Sequence, residues 1–133
     1  MEEDRRSEAR ERALNLLYEA DAKGMSVEEV LTALPVRPDD LAVLLVEGVA
    51  ARRTDIDALL ALHARGWTLE RMPVIDRTVL EVAVFELMGR PDVPVAVVID
   101  EAVELAKRFS TDDSGRFVNG MLSAIAPKLR PDA

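Results

Sequence analysis

Apolar residues recur at three- and four-residue intervals along most of the chain, which predicts a series of amphipathic helices. At about 100° per residue, one face of the first helix carries Ala9, Ala13, Leu16, Leu17 and Ala20. Gly24 is expected to end this helix, and Ser26 with Glu29 has the capping-box spacing that starts a short second one. The amino-terminal part therefore reads as a helix, a glycine turn and a second helix.

A long periodic segment, residues 41–64, follows two chain-breaking prolines, Pro35 and Pro38. We expect it to divide near Thr54, because Thr54 and the aspartate after it can cap a new helix. Gly66 is expected to close this half of the chain.

The segment 74–88 is apolar nearly all round and begins after Pro73, a residue that suits a helix start. Its only charges are Asp76, Arg77, Glu81 and Glu86. Such a helix lies at the centre of a bundle or is covered by a partner on one side.

Residues 93–99 are ambiguous, because their valines favour a strand while the residues that follow have helical spacing. We predict a helix that starts near Pro94. Ser110 and Thr111 carry the capping signals of a last helix. Its expected buried stripe is Phe117, Val118, Met121, Leu122, Ile125 and Leu129. The pattern as a whole predicts an all-α fold.

Composition limits the kind of protein this can be. With 133 residues, 49% of them apolar, the chain fits one globular domain. It has no cysteine, which excludes disulfides and thiolate metal sites. The charged first twelve residues leave no room for a signal-peptide core, and the longest apolar run, residues 41–46, is far below the roughly 20 residues of a membrane span. We therefore expect a soluble cytoplasmic protein.

The net charge of −8 argues against a general nucleic-acid coat, but a local basic patch remains possible. The first twelve residues contain the arginines Arg5, Arg6, Arg10 and Arg12 and the acids Glu2, Glu3, Asp4, Glu8 and Glu11. Helical phase places Arg6 and Arg10 on one margin of the apolar face and Arg5 and Arg12 on the other, with Glu8 and Glu11 opposite. A basic helix end that projects beyond the bundle and a plain solvated terminus both fit this pattern.

Residues that could carry catalysis are nearly absent. His63 is the only histidine, and no glycine-rich phosphate loop is present. Asp112 and Asp113 are better explained as helix-capping acids than as a catalytic pair. On the last helix, Asp113, Arg116 and Gly120 lie beside Phe117 and could form a contact strip, although Phe117 could equally be core. We predict a binding protein without a catalytic site, metal or cofactor.

Several stretches of the chain are similar to a known family. They are PVIDRTVL (73–80), VFEL (84–87), DVP (92–94), IDEAVELAK (99–107) and DSGRFVNG (113–120), together with ARERALNLLY (9–18). In their order along the chain, these stretches closely resemble the NusB family of bacterial transcription antitermination factors. The block 93–120 is highly specific, whereas residues 25–66 match only in helical pattern.

The resemblance implies an all-α fold of two packed three-helix subdomains, about 1–66 and 67–133, with about seven helices in total. It also implies binding to the boxA element of ribosomal RNA transcripts together with the small-subunit ribosomal protein NusE. In that role the protein would join the RNA polymerase antitermination complex and help the polymerase resist termination.

The family's functional residues can be carried over only where this sequence matches. RNA contacts would map onto Arg5, Arg6, Arg10, Arg12, Tyr18, Arg116 and Phe117. The surface for the ribosomal protein would map onto Asp76, Arg77, Glu81 and Asp113. The amino terminus is more acidic here than in strongly basic members, which bears on the RNA affinity of the isolated protein.

Two other functions fit the same pattern. A similar helical domain is appended to some RNA cytosine methyltransferases, but this chain has no cofactor-binding βαβ segment, so methylation would need a further domain. A homodimeric scaffold could instead use the apolar face of residues 74–88. Such a dimer could mask the RNA surface.

Overall fold

The computed structural model describes residues 2–64 and 68–133, and this part of the chain contains helices and no strand. The six α-helices are α1 (Glu2–Lys23), α2 (Val27–Ala33), α3 (Asp40–His63), α4 (Val74–Gly89), α5 (Val95–Phe109) and α6 (Asp112–Leu129). A 3-10 turn, Leu69–Arg71, precedes α4. The all-α prediction is confirmed. In the ambiguous segment 93–99, residues 95–99 form the start of α5, and Pro94 occupies its N-cap position.

The predicted helix boundaries are formed by local hydrogen bonds. Ser26 N donates to Glu29 Oε1 at 3.0 Å, and Glu29 N donates to Ser26 Oγ at 3.1 Å, which completes the capping box. Gly24 ends α1 with φ +63°, a conformation that glycine adopts without strain. Thr111 Oγ1 accepts from Ser114 N at 3.0 Å and caps α6.

The predicted division of the 41–64 segment near Thr54 is wrong, because α3 runs unbroken from Asp40 to His63. Val49, Ile56 and Leu60 are buried on both sides of the expected break and keep one helical phase. A capping residue therefore ends a helix only where burial no longer favours continuing it. The described residues form six α-helices and one 3-10 turn, compared with the prediction of about seven helices. Gly66, which was predicted to close this half of the chain, lies outside the described residues.

Helix α4 is the centre of the bundle and contacts α1, α3, α5 and α6. Every residue from Thr78 to Leu87 is buried. This stretch is covered by the chain's own helices, so it is not available as a face for a homodimer, although Val74 in the first turn of α4 is 51% exposed. The first of the two alternatives for this segment, a central helix, is confirmed.

Two contacts fix α4 against its neighbours. Gly48 of α3 lets the ring of Phe85 lie directly on the α3 backbone, since an added Cβ would be 2.1 Å from Phe85 Cζ. After α6, the Arg130 guanidinium donates to the carbonyl oxygens of Glu86 (3.0 Å), Leu87 (3.1 Å) and Arg90 (2.7 Å), and also to that of Val93. The carbonyls of Glu86 and Arg90 also accept backbone N–H groups, from Arg90 and Val93, so Arg130 adds a second donor to them and supplies the donor that the Leu87 carbonyl lacks at the helix end.

The core includes residues of both halves of the chain, and the two-subdomain division stays a prediction. No helix in the described ranges is long and apolar enough to span a membrane.

Candidate RNA and protein interfaces

Arg10, which was predicted to contact RNA, is buried, and only 2% of it is exposed. Its Nε and Nη2 donate to the two carboxylate oxygens of Glu86 at 2.7 and 3.0 Å, and its Nη1 donates to Glu101 Oε1 at 3.2 Å. Burial alone would lower the pKa of Arg10, but Glu86 and Glu101 raise it above its usual value. The side chain is therefore a buried cation that joins α1 to α4 and α5.

Sequence reasoning missed the partners of Arg10. Glu86 is buried and also accepts from Arg90 Nη1 at 2.9 Å, while Glu101 accepts from Ser7 Oγ. The sequence contained a signal for this pairing, because a carboxylate flanked by apolar residues, as Glu86 is, rarely becomes fully buried unless it is paired. Which cation pairs with it depends on helix packing.

Arg5 and Arg6 remain exposed near the start of α1. They line a groove of about 260 Å³ with Arg90 and Leu41, and its acids are Glu2 and Asp39. Arg6 makes only a surface ion pair with Glu2 at 3.3 Å, its side chain being 51% exposed, and such pairs are worth little. Both arginines can thus turn towards a phosphate. Arg90 is the cation in this groove that the sequence analysis did not single out.

The other predicted residues of α1, Arg12 and Tyr18, are also exposed. They lie farther along the helix than Arg5 and Arg6 and line none of the grooves described here.

A second candidate surface lies at the opposite end of α4. Asp76, in its first turn, lines a pocket of about 230 Å³ with Asp113 and Phe117 of α6. Arg116, paired with Asp113, lines an adjoining groove of about 410 Å³ that also includes Phe117. The structure therefore brings predicted RNA residues, Arg116 and Phe117, together with predicted partner residues, Asp76 and Asp113.

The two surfaces are far apart. Helix α4 has 16 residues, so at about 1.5 Å per residue its ends are about 24 Å apart. Arg5 and Arg6 lie near Arg90 at one end, and Arg116 lies near the other. A single RNA phosphate cannot touch both, and an RNA strand would have to run along the bundle to do so.

Glu81 is not on the predicted partner surface, because it is buried at the junction of α3 and α4. Its Oε1 accepts from Arg53 Nη2 at 3.1 Å, and its Oε2 lies 3.6 Å from Arg77 Nε. Arg77 also donates to Asp57 Oδ2 at 2.9 Å and is partly exposed. Of the four predicted partner residues, only Asp76 and Asp113 share a pocket.

Burial raises the pKa of Glu81 to about 8, a hydrogen bond with Asp57 adds to the rise, and Arg53 opposes it. Asp57 Oδ1 and Glu81 Oε2 both lack a donor when the two groups are ionised. One proton on Glu81, donated to Asp57, satisfies both oxygens. The pair is thus best described as sharing a proton.

This pair predicts a pH-dependent stability. The folded protein keeps a proton up to about pH 8 that the unfolded chain loses near 4.5, so the contribution of Glu81 to stability is largest below that range and falls as pH rises through it. One proton corresponds to at most about 1.4 kcal/mol per pH unit. Glu81→Gln, whose amide can replace the protonated carboxyl, should remove this slope. Urea denaturation of both variants between pH 4.5 and 8 measures it, and parallel curves would contradict the shared proton.

Within residues 2–64 and 68–133, no three carboxylate or histidine side chains are placed to hold a metal ion.

Comparison with known proteins identifies the family. The NusB family model matches residues 7–127, and the chain belongs to the NusB family. The transcription antitermination protein NusB of Saccharopolyspora erythraea is 54% identical over 127 residues, which cover 91% of this chain and 86% of that protein.

Solved structures agree with this assignment. T. maritima NusB has a TM-score of 0.84 and 32% identity, covering 92% of this chain and 91% of its own. A NusB chain from a crystal structure of the antitermination factors NusB and NusE with double-stranded RNA has a TM-score of 0.79 and 27% identity, covering 94% of this chain and 98% of its own.

Proposed function

We propose that this chain binds the boxA element of ribosomal RNA transcripts together with the ribosomal protein NusE, and that the pair joins the RNA polymerase antitermination complex. It works in the cytoplasm as a binding protein without a catalytic site. The observation that carries the proposal is family membership over residues 7–127, with a relative in the same family crystallised with NusE and RNA.

The described surfaces support two separate roles. The groove that contains Arg5 and Arg6 offers exposed cations to phosphates, whereas Arg90 in the same groove is paired with Glu86. The pocket that contains Asp76 and Asp113 offers acidic groups to a protein. Arg12, Tyr18, Arg116 and Phe117 remain in the proposed RNA interface, whereas Arg10 is assigned to positioning α1 because phosphate binding would break its buried ion pairs.

Sedimentation velocity tests the assembly. The protein is run alone, with NusE, with a boxA oligonucleotide, and with both, beside an oligonucleotide of scrambled sequence. We expect a 1:1:1 complex with boxA that is weaker with the scrambled RNA. Failure to bind NusE and failure to discriminate boxA would each reject the proposal.

The basic groove gives a prediction about salt. The double variant Arg5→Ala/Arg6→Ala should weaken boxA binding and reduce the slope of log affinity against log salt by about 1.4, or about 0.7 for each lost phosphate contact on a single strand. The folded state should be unaffected, since both side chains are exposed. The exposed pair Arg37→Ala/Arg71→Ala removes the same charge elsewhere and should lower the slope by less. Equal slopes in the two double variants would argue against a phosphate site at this end.

Phe117 gives a prediction about stacking. Its ring is partly buried against the core and lines both the pocket and the adjoining groove. Phe117→Leu keeps most of the apolar volume but removes the flat ring, so RNA affinity should fall by about 1–3 kcal/mol and stability by no more than about 1.5 kcal/mol. Binding and melting temperature are measured on the same variant. A lower melting temperature with unchanged RNA binding would make Phe117 a core residue only.

A further inference from the structure

The packing of the chain does not account for two residues of the groove between α3 and α6, His63 and Gly120. The groove is lined by His63 and Ala64 on the α3 side and by Arg116, Phe117 and Gly120 on the α6 side. Its volume of about 410 Å³ corresponds to about fourteen water molecules. That is enough room for one nucleobase and part of its ribose.

One ring nitrogen of His63 is fixed, and the other has no partner. Nδ1 lies 3.0 Å from the carbonyl oxygen of Leu59, and because a carbonyl oxygen only accepts, Nδ1 is the nitrogen that carries the proton. Nε2 of the neutral ring is then an acceptor, and no group in the described ranges donates to it. His63 therefore offers the groove one acceptor, held in place by the last turn of α3.

Gly120 leaves the floor of the groove bare, although its neighbours do not require a glycine there. Glycine is a poor helix former, and a Cβ added at residue 120 would meet no described neighbouring atom within 4 Å. By contrast, a Cβ added at Gly48 would lie 2.1 Å from Phe85, and one at Gly115 would lie 2.8 Å from Lys107. The space above Gly120 is thus open to a molecule from outside the described chain.

The charges of the groove favour a nucleotide. Among the described residues of its lining, Arg116 supplies a cation and no side chain is a carboxylate. The ion pair of Arg116 with Asp113 is 78% and 84% exposed, so Arg116 can exchange it for a phosphate at little cost. The ring of Phe117 offers a stacking surface beside it. The adjoining pocket contains Asp76 and Asp113 and would repel a phosphate.

We propose that this groove holds one base of the boxA RNA, that an N–H group of the base donates to Nε2 of His63, and that its backbone passes over Gly120. The inference rests on the proposed function and adds a base-specific contact to it. His63 then reads the RNA sequence, because it recognises the edge of a base and not a phosphate.

A double-mutant cycle between the protein and the RNA tests this contact. Fluorescence anisotropy, with NusE present, measures the binding of boxA oligonucleotides in which one nucleotide at a time is replaced by an abasic ribose. We expect His63→Phe, which keeps a ring but has no acceptor, to weaken binding of intact boxA about tenfold. One abasic position should weaken binding by the parent at least as much, and His63→Phe should cause no further loss at that position.

Three further variants separate this contact from a change of fold. His63→Gln keeps a donor and an acceptor and should bind boxA more tightly than His63→Phe. Gly120→Leu should fill the groove and weaken boxA binding at least tenfold. Ala51→Leu adds a leucine at an exposed site on α3, about 18 Å along the helix from His63, and should leave boxA binding unchanged. If binding fell only in proportion to the folded fraction of each variant, the proposal would be overturned.

Modified RNA distinguishes the base from the sugar. A 2′-deoxy nucleotide at the coupled position should leave binding unchanged, and a loss equal to that of the abasic ribose would assign Nε2 to the ribose hydroxyl and reject the base contact. If the parent discriminates boxA from scrambled RNA but no abasic position couples to His63, the base contact is wrong and the proposed function stands. If the parent does not discriminate boxA, both are rejected.

Discussion

Replacing Arg10 with alanine is expected to lower the free energy of unfolding by about 3–5 kcal/mol, the usual cost of breaking a buried ion pair on one side. Glu86 would keep Arg90 as its only cation, and Glu101 would keep only the Ser7 hydroxyl. Both carboxylates would lose charge-assisted bonds inside the α1–α4–α5 junction. Chemical denaturation measures the effect.

Two variants control for charge and volume. Arg6→Ala removes an arginine one turn earlier that is exposed, and should change stability by less than about 0.5 kcal/mol. Arg10→Lys keeps the charge but loses the two-pronged contact with Glu86, and should fall between the parent and Arg10→Ala. We expect the opposite ranking for RNA affinity: Arg6→Ala should weaken RNA binding by the folded protein more than Arg10→Ala does. Equal stability of Arg10→Ala and Arg6→Ala would reject the structural role of Arg10.

Replacing Gly48 with alanine is expected to destabilise the protein by about 1–3 kcal/mol, although alanine is the better helix former by up to about 1 kcal/mol. The new Cβ would lie 2.1–2.6 Å from three ring atoms of Phe85. The ring cannot retreat freely, because Phe85 is buried and packed in the hydrophobic core. Either α3 and α4 move apart or Phe85 takes a strained rotamer.

Gly120→Ala is the matched control, because a Cβ there meets nothing within 4 Å. It should stabilise the free protein by about 0.5–1 kcal/mol through helix propensity. Adding Phe85→Leu to Gly48→Ala should recover part of the lost stability by removing ring atoms from the contact. Thermal unfolding of the parent protein and these three variants checks both claims. If Gly48→Ala and Gly120→Ala changed stability equally, the close approach of α3 and α4 would not limit residue 48.

Local sequence patterns correctly predicted most of the helix starts and ends in this chain. The capping box at Ser26, the glycine turn at Gly24 and the threonine cap of α6 formed as expected, because each depends on residues within one helical turn. The possible break at Thr54 did not form. A cap is a local preference of about 1 kcal/mol, and burial of Val49, Ile56 and Leu60 on one continuous face outweighs it.

The sequence by itself determined that the chain is helical, where its basic and acidic side chains lie along each helix, and which family it resembles. Helical phase also placed Arg6 and Arg10 on the same margin of α1, but it could not distinguish their roles. Only the tertiary structure decided that Arg10 is buried against Glu86 and Glu101 while Arg6 stays in solvent. Likewise, the tertiary structure buried Glu81 between α3 and α4 and placed Asp76 in the lining of an open pocket. The physical reason is that phase gives the direction of a side chain, whereas its burial and its partner depend on how far neighbouring helices extend over it.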